Sequence, residues 1–222
     1  MKPLPLVAAG LAATAVGLVA VKVFAAAKGQ VGTTGPLSAR RKFVLDAIAS
    51  VVPSQYGDEK FKRIAPGYDP DDPALPHGFT TCGYMPCFVG RELGVGNCIT
   101  QGGLEQMRMN GRKIGAWVEP TGKNRPRPGD LYAVDSQIGE GPGARRIITH
   151  VGVIVDVNGN NWRTADAGQG TIGAGQASLY LERVYDPSTN RLKTIKPAYN
   201  TPAKNLAGWI DIDKVPGVKS PL

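Results

Sequence analysis

A chain of 222 residues with 42% hydrophobic and 20% charged side chains is too apolar to stay disordered and long enough for one domain with a substantial core. Its net charge of +8 suits an anionic polymer or a membrane surface, but no basic stripe interleaved with aromatics is present, so a nucleic-acid partner is excluded. With 29 glycines and 18 prolines, the polypeptide must be rich in turns.

Residues 3–21 form an almost unbroken apolar run behind Lys2, interrupted by Lys22 and ending in Ala25, Ala26 and Ala27. Such a run reads either as an export signal removed after Ala27 or as a retained membrane anchor. It exceeds the ~7–15 residues of a usual signal core, which favours the anchor. Lys22, Lys28, Arg40, Arg41 and Lys42 stand behind the run and would hold the body on the cytoplasmic side. That charge bias opposes the export which the rest of the segment suggests. The domain reading is a signal peptide or anchor over 1–28, a Gly/Thr linker over 29–36 and one folded domain over 37–222.

Residues 37–52 predict an amphipathic helix whose apolar stripe is Phe43, Val44, Ala47, Ile48, Val51 and Val52. Arg40, Arg41 and Lys42 would form its solvated face, and Pro53 ends it. Residues 54–77 are turn-rich. Asp69, Asp71 and Asp72 lack the glycine and terminal glutamate of a calcium loop, so no metal is expected there. His77 ends this stretch as an exposed or rim residue.

Cys82 follows Thr80 and Thr81 and opens an apolar run at helical spacing, Tyr84, Phe88, Val89 and Leu93, that stops at Gly94. A cysteine at a helix N-terminus has its thiolate favoured by the positive end of the helix dipole. Such a thiolate is a nucleophile that needs only a base. Cys87 and Cys98 could bridge each other, or both could be small buried apolar residues; spacing alone does not choose.

Residues 99–112 predict another helix, containing Leu104 and Met107. From there the period changes to two. Strands are expected over 113–119, 131–134, 147–156, 161–166, 180–185, 191–195 and 206–212, with glycine-rich loops at 135–146 and 168–176. Arg127-Pro128-Gly129-Asp130 is a turn, and Asn158-Gly159 joins the strongest strand to its hairpin partner. Helices first and an antiparallel sheet after them make an α+β layout.

Thiol catalysis needs a base beside the sulfur and a third polar group to orient that base. Of the two histidines, His150 begins the strongest strand and is the better-held base. Thr164 and Asp166 share one face of the returning strand. Asp166, the better acceptor for an imidazole N–H, takes the orienting role, with Thr164 as the alternative. Gly83 would keep the backbone approachable, the Cys82 N–H could serve an oxyanion, and Trp162 could line the cleft.

The ordered set Phe79-Thr80-Thr81-Cys82-Gly83, Pro128-Gly129-Asp130-Leu131 and Thr149-His150-Val151-Gly152-Val153 resembles the NlpC/P60 and CHAP branch of papain-like cysteine peptidases and amidases. The order of nucleophile, Pro-Gly-Asp strand, His-Val-Gly strand and polar residue is the one those proteins use. Thr81-Cys82-Gly83-Tyr84 departs from their usual Asp-Cys-Ser-Gly, and their third histidine would align near Thr164. The resemblance implies a papain-like fold with N-terminal helices packed on an antiparallel sheet, here preceded by the hydrophobic N-terminal helix. It implies a cofactor-independent, metal-free thiol amidase or peptidase acting on peptidoglycan stem-peptide or glycan-peptide amides in the cell envelope, exported or membrane-anchored, with the periplasmic or extracellular side favoured. The alternative is a membrane-anchored envelope or phage structural protein that keeps the frame without turnover.

Overall fold

The computed structural model describes residues 36–69, 81–95, 100, 103–169, 177–197 and 202–216. The N-terminal apolar run, His77, Thr80, Cys98, Asp71, Asp72 and most of the second glycine-rich loop lie outside the described residues. Within them, no helix is long and apolar enough to cross a membrane.

The first helix, α1 (Ala39–Val51), starts where the Ser38 side chain accepts a hydrogen bond from the Arg41 N–H at 3.2 Å. It buries Val44, Ile48 and Val51 at the spacing its sequence predicts and stops before Pro53. A two-residue strand, β1 (Ser54–Gln55), and the short α2 (Glu59–Ile64) follow. A 3₁₀ turn over Thr81–Gly83 leads into α3 (Tyr84–Glu92), which buries Met85, Phe88 and Val89. The next helix, α4, is Glu105–Lys113, and the strand expected over 113–119 shrinks to β2 (Trp117–Val118), because the helix runs to Lys113 and Gly115 at φ +69° turns the chain after it.

Six long strands complete the chain: β3 (Leu131–Ile138), β4 (Arg145–Asn158), β5 (Asn161–Gln169), β6 (Ala177–Asp186), β7 (Arg191–Lys196) and β8 (Lys204–Ile210). All neighbours are antiparallel. β3 to β6 form a meander, β7 pairs with both β6 and β8, and β8 pairs with β3, so the six strands close on themselves. The architecture is therefore a six-stranded antiparallel barrel with few helices, and the expected papain-like arrangement of helices on a sheet is not what forms. Closure runs through two register pairs, Arg191 with Asn205 and Leu192 with Lys204. It removes the edges that an open sheet would leave unpaired.

Period-two alternation then gives the barrel two surfaces. Leu131, Ala133, Val151, Val153, Ala165 and Ala167 join Val44, Ile48, Met85 and Phe88 in the core under the helices. Tyr132, Val134, Ile154, Trp162, Tyr185 and Leu192 pack with one another in the second core, inside the barrel. Residues 135–138 and 145–146, read as part of a glycine-rich loop, extend β3 and β4.

Arg41 corrects the picture of a solvated basic face. It is wholly buried, with its guanidinium 2.8 Å from Asp130 and 2.7 Å from both Asp211 and Asp213. It also donates to the Pro128 carbonyl at 2.8 Å. Asp130 in turn accepts from the backbone N–H groups of Arg127 and Ile212. The Pro-Gly-Asp turn, with Gly129 at φ +92° where a side chain is disfavoured, thus locks α1 to the strand start and to the C-terminal 3₁₀ turn Ile212–Lys214. Burial raises the Asp130 carboxyl to about 6 against the pull of Arg41, while Arg41 itself, faced by carboxylates, is held above its ordinary value despite burial.

Candidate active site

Cys82 lies in the 3₁₀ turn that feeds α3, close to the helix N-terminus that its sequence context predicts. The cap itself differs from the sequence expectation. Gly83 occupies the cap position without a side-chain bond, and the buried Thr81 hydroxyl has no hydrogen-bond partner among the described residues. Thr100 instead holds the turn, donating to the Gly83 carbonyl at 2.7 Å and lying 3.0 Å from Cys87 Sγ. Cys87 is in a disulfide, whereas Cys82 keeps its thiol and is 2% exposed.

His150, Gly152 and Ile154 fall on the same side of β4 as Thr164 and Asp166 do on β5. Bulges beside Val134 in the β3–β4 ladder and after Asp166 in the β5–β6 ladder flank this patch and re-aim its side chains. His150 Nε2 lies 2.6 Å from Asp166 Oδ1 and the imidazole is hydrogen-bonded to Cys82 as well. A carboxylate can only accept, so the ring proton sits on Nε2 and the Nδ1 lone pair is left for the thiol proton. Burial pulls the imidazole down, but the bonds to Asp166 and Cys82 outweigh it, and His150 is raised above its ordinary value.

Asp166 is completely buried and is the hub of the site. Its Oδ1 accepts from the Tyr132 hydroxyl, from His150 and from Arg183 Nη2 at 3.0 Å; its Oδ2 accepts from Thr164. Burial alone would raise this carboxyl, yet Arg183 first, then His150 and Thr164, hold it well below the usual carboxylate range. Tyr132, buried and beside that carboxylate, is pushed well above 10 despite the opposing pull of Arg183 and so remains a donor. Thr164, the alternative third member, orients Asp166 and accepts from Arg183 Nε at 3.0 Å rather than touching His150 itself. Arg183 Nη1 is satisfied by Thr194 at 2.7 Å.

Gly152 explains the His-Val-Gly sequence physically. A Cβ there would lie 2.6 Å from Asp166 Oδ1 and 2.7 Å from the Tyr132 ring, so only glycine leaves room for the carboxylate. Trp162 is enclosed in the barrel at 2% exposure, stacked on Tyr185 with ring centroids 4.9 Å apart, and does not line the cavity beside His150.

That cavity, about 180 Å³, is lined beside His150 by Val134, Leu192, Gln169, Arg183, Thr194, Pro202 and Lys204. Tyr132, Arg183 and Lys204 were not singled out from the sequence. The one available signal was Arg183, a charge two residues before the aromatic Tyr185 and therefore on the inward face of its strand. Among the described residues, no group of three or more His, Cys, Asp and Glu side chains could hold a metal ion. No protein-family model, curated protein or solved structure matches this chain.

Proposed function

We propose that the protein is a thiol-dependent amidase or peptidase in which Cys82 is the nucleophile, His150 the general base and acid, and Asp166 the residue that orients His150. The observation that carries the reading is that His150 is hydrogen-bonded on one side to Cys82 and on the other to a carboxylate held well below the usual carboxylate range. Two roles are thereby separated: the sulfur receives a base, and the base receives a fixed tautomer.

The Cys82 sulfur attacks an amide carbonyl as His150 Nδ1 takes the thiol proton. The developing oxyanion is met by the backbone N–H of Cys82 at the start of the helix. His150 then delivers its proton to the departing nitrogen, the C–N bond breaks and a thioester remains. Water, deprotonated by the same imidazole, cleaves the thioester and returns the thiol. Buried Arg183 keeps Asp166 ionised throughout, so the imidazolium formed midway always faces a carboxylate.

The proposed substrates are peptidoglycan stem-peptide or glycan-peptide amides, encountered at the cell envelope through the N-terminal segment. This substrate assignment is supported by the motif order shared with NlpC/P60 and CHAP peptidases and by the net positive charge.

The test is the pH dependence of Cys82 alkylation by iodoacetamide in the full chain and in His150→Ala, with mass spectrometry locating the label. Labelling of Cys82 below about pH 7 that weakens in the variant is the expected result, since an unperturbed thiol has a pKa near 8.5. Labelling that begins only above about pH 8 and ignores the substitution would refute the reading.

A further inference from the structure

The cavity beside His150 has a direction relative to the chemistry. His150 hands its proton to the departing nitrogen, so in the amidase reading, on which this inference rests, the space that His150 lines belongs to the leaving amine rather than to the acyl group on sulfur. At about 180 Å³ it lies well under the ~300–1,000 Å³ of pockets that take drug-sized ligands, and it suits one small residue. Val134 and Leu192 supply apolar wall to one part of it, against which the small side chain of such a residue could pack.

Two cations face this space, and they differ in what already holds them. Arg183 is committed through Nε, Nη1 and Nη2 to Thr164, Thr194 and Asp166. Lys204, the first residue of β8 and only partly buried, has one long contact, 3.4 Å to Thr149 Oγ1, and no carboxylate partner among the described residues. Burial and the neighbouring Arg183 lower its pKa, with Cys82 pulling the other way. Gln169 and Thr194 on the same wall add neutral hydrogen-bonding groups.

We propose that Lys204 receives the carboxylate of the leaving residue, so that the protein removes one small C-terminal amino acid from a peptide rather than cutting within the chain. The bond broken is the last amide. Its acyl carbon passes to Cys82 Sγ and then to water, and the nitrogen leaves with the His150 proton as a free amino acid. The ligand class is thus a small α-amino acid with an unblocked carboxylate.

The experiment compares two alkylating reagents of similar size, anionic iodoacetate and neutral iodoacetamide, on Cys82 of the full chain, of Lys204→Gln and of Lys204→Arg. In parallel, alanine of either hand and its amide are tested for protection of Cys82 against iodoacetamide. The iodoacetate-to-iodoacetamide rate ratio should fall roughly five- to tenfold in Lys204→Gln, the size of one partly screened charge at several ångströms, and recover in Lys204→Arg. Alanine should protect the wild-type thiol and alaninamide should not. An unchanged ratio in Lys204→Gln, with low-pH, His150-dependent iodoacetamide labelling intact, would overturn the carboxylate site and leave the amidase reading standing. Loss of that activated labelling in the wild type would instead remove the amidase reading, and this inference with it.

Discussion

Replacing Gly152 by alanine tests the hub of the site with a single methyl group. Built on the existing backbone, the new Cβ would stand 2.6 Å from Asp166 Oδ1, 2.7 Å from Tyr132 Cε1 and 2.9 Å from the Ala165 carbonyl. None of the three can give way cheaply. Ala165 is backbone in a paired strand, Tyr132 is wholly buried, and Asp166 is held by four donors. Overpacking of this kind costs about 1–3 kcal/mol. With a urea slope of about 2 kcal/mol/M, the midpoint should fall by roughly 0.5–1.5 M. Because the first atom displaced is the oxygen that orients His150, low-pH alkylation of Cys82 should fall by about a hundredfold, the usual penalty for moving a reacting group by an ångström. Urea unfolding followed by tryptophan fluorescence gives the first quantity, and iodoacetamide kinetics at pH 6 give the second. Wild-type values for both would refute the placement of Asp166 against Gly152, and with it the physical account of the His-Val-Gly motif.

The stabilising contributions of Asp166 and His150 should both be complete between their unfolded-state values, 3.8 and 6.5, while Asp130, raised to about 6 on folding, lowers stability as pH rises through that same window. Asp166 is lowered on folding, so its contribution is present above 3.8 and is lost as pH falls; His150 is raised, so its contribution is complete below 6.5 and is lost as pH rises through its folded value. Denaturation across pH should therefore show both limbs; an alkaline limb that persists unchanged in His150→Gln would contradict the assignment. Arg41→Met should cost about 3–5 kcal/mol, because it leaves Asp130 buried without its cation, with Asp211 and Asp213 beside it. Arg41→Lys should recover little, since only the guanidinium fork reaches three carboxylates and the Pro128 carbonyl. A loss below about 1 kcal/mol for Arg41→Met would show that this cluster does not hold α1 to the barrel.

Several pieces were legible in the chain because they are local. The stripe of Val44, Ile48 and Val51 placed the first helix, and the β-branched run around Val151 to Val155 placed the strand that carries His150. Asn158-Gly159 placed the hairpin that brings Asp166 alongside. Cys82 at the entrance to a helix followed from the apolar spacing of Tyr84, Phe88 and Val89. Other features were hidden because they depend on partners far away in sequence. Arg41 resembles its neighbours Arg40 and Lys42, and nothing local marks it as the one that meets Asp130, Asp211 and Asp213 in the interior. Trp162, close to Asp166 in the chain, turns into the barrel because strand alternation and the stacking partner Tyr185 enclose it.

The sequence by itself determined the strand periodicity and the helix entrance at Cys82, since each depends on residues within a few positions of one another; the candidate trio of Cys82, His150 and Asp166 came from residue types and motif order rather than from local pattern. Tertiary structure alone decided that the strands close into a barrel. Alternation says which face of a strand is apolar but not which edge it will find, and closure rests on the short β7 pairing with both β6 and β8. The meander of β3 to β6 brings Tyr132 and Arg183 to the carboxylate that Thr164 holds from the same strand, and the β3–β8 pairing places Lys204 beside the cavity next to His150. Tyr132, Arg183 and Lys204 come from three other strands than Asp166, and only strand pairing far apart in sequence could place them there.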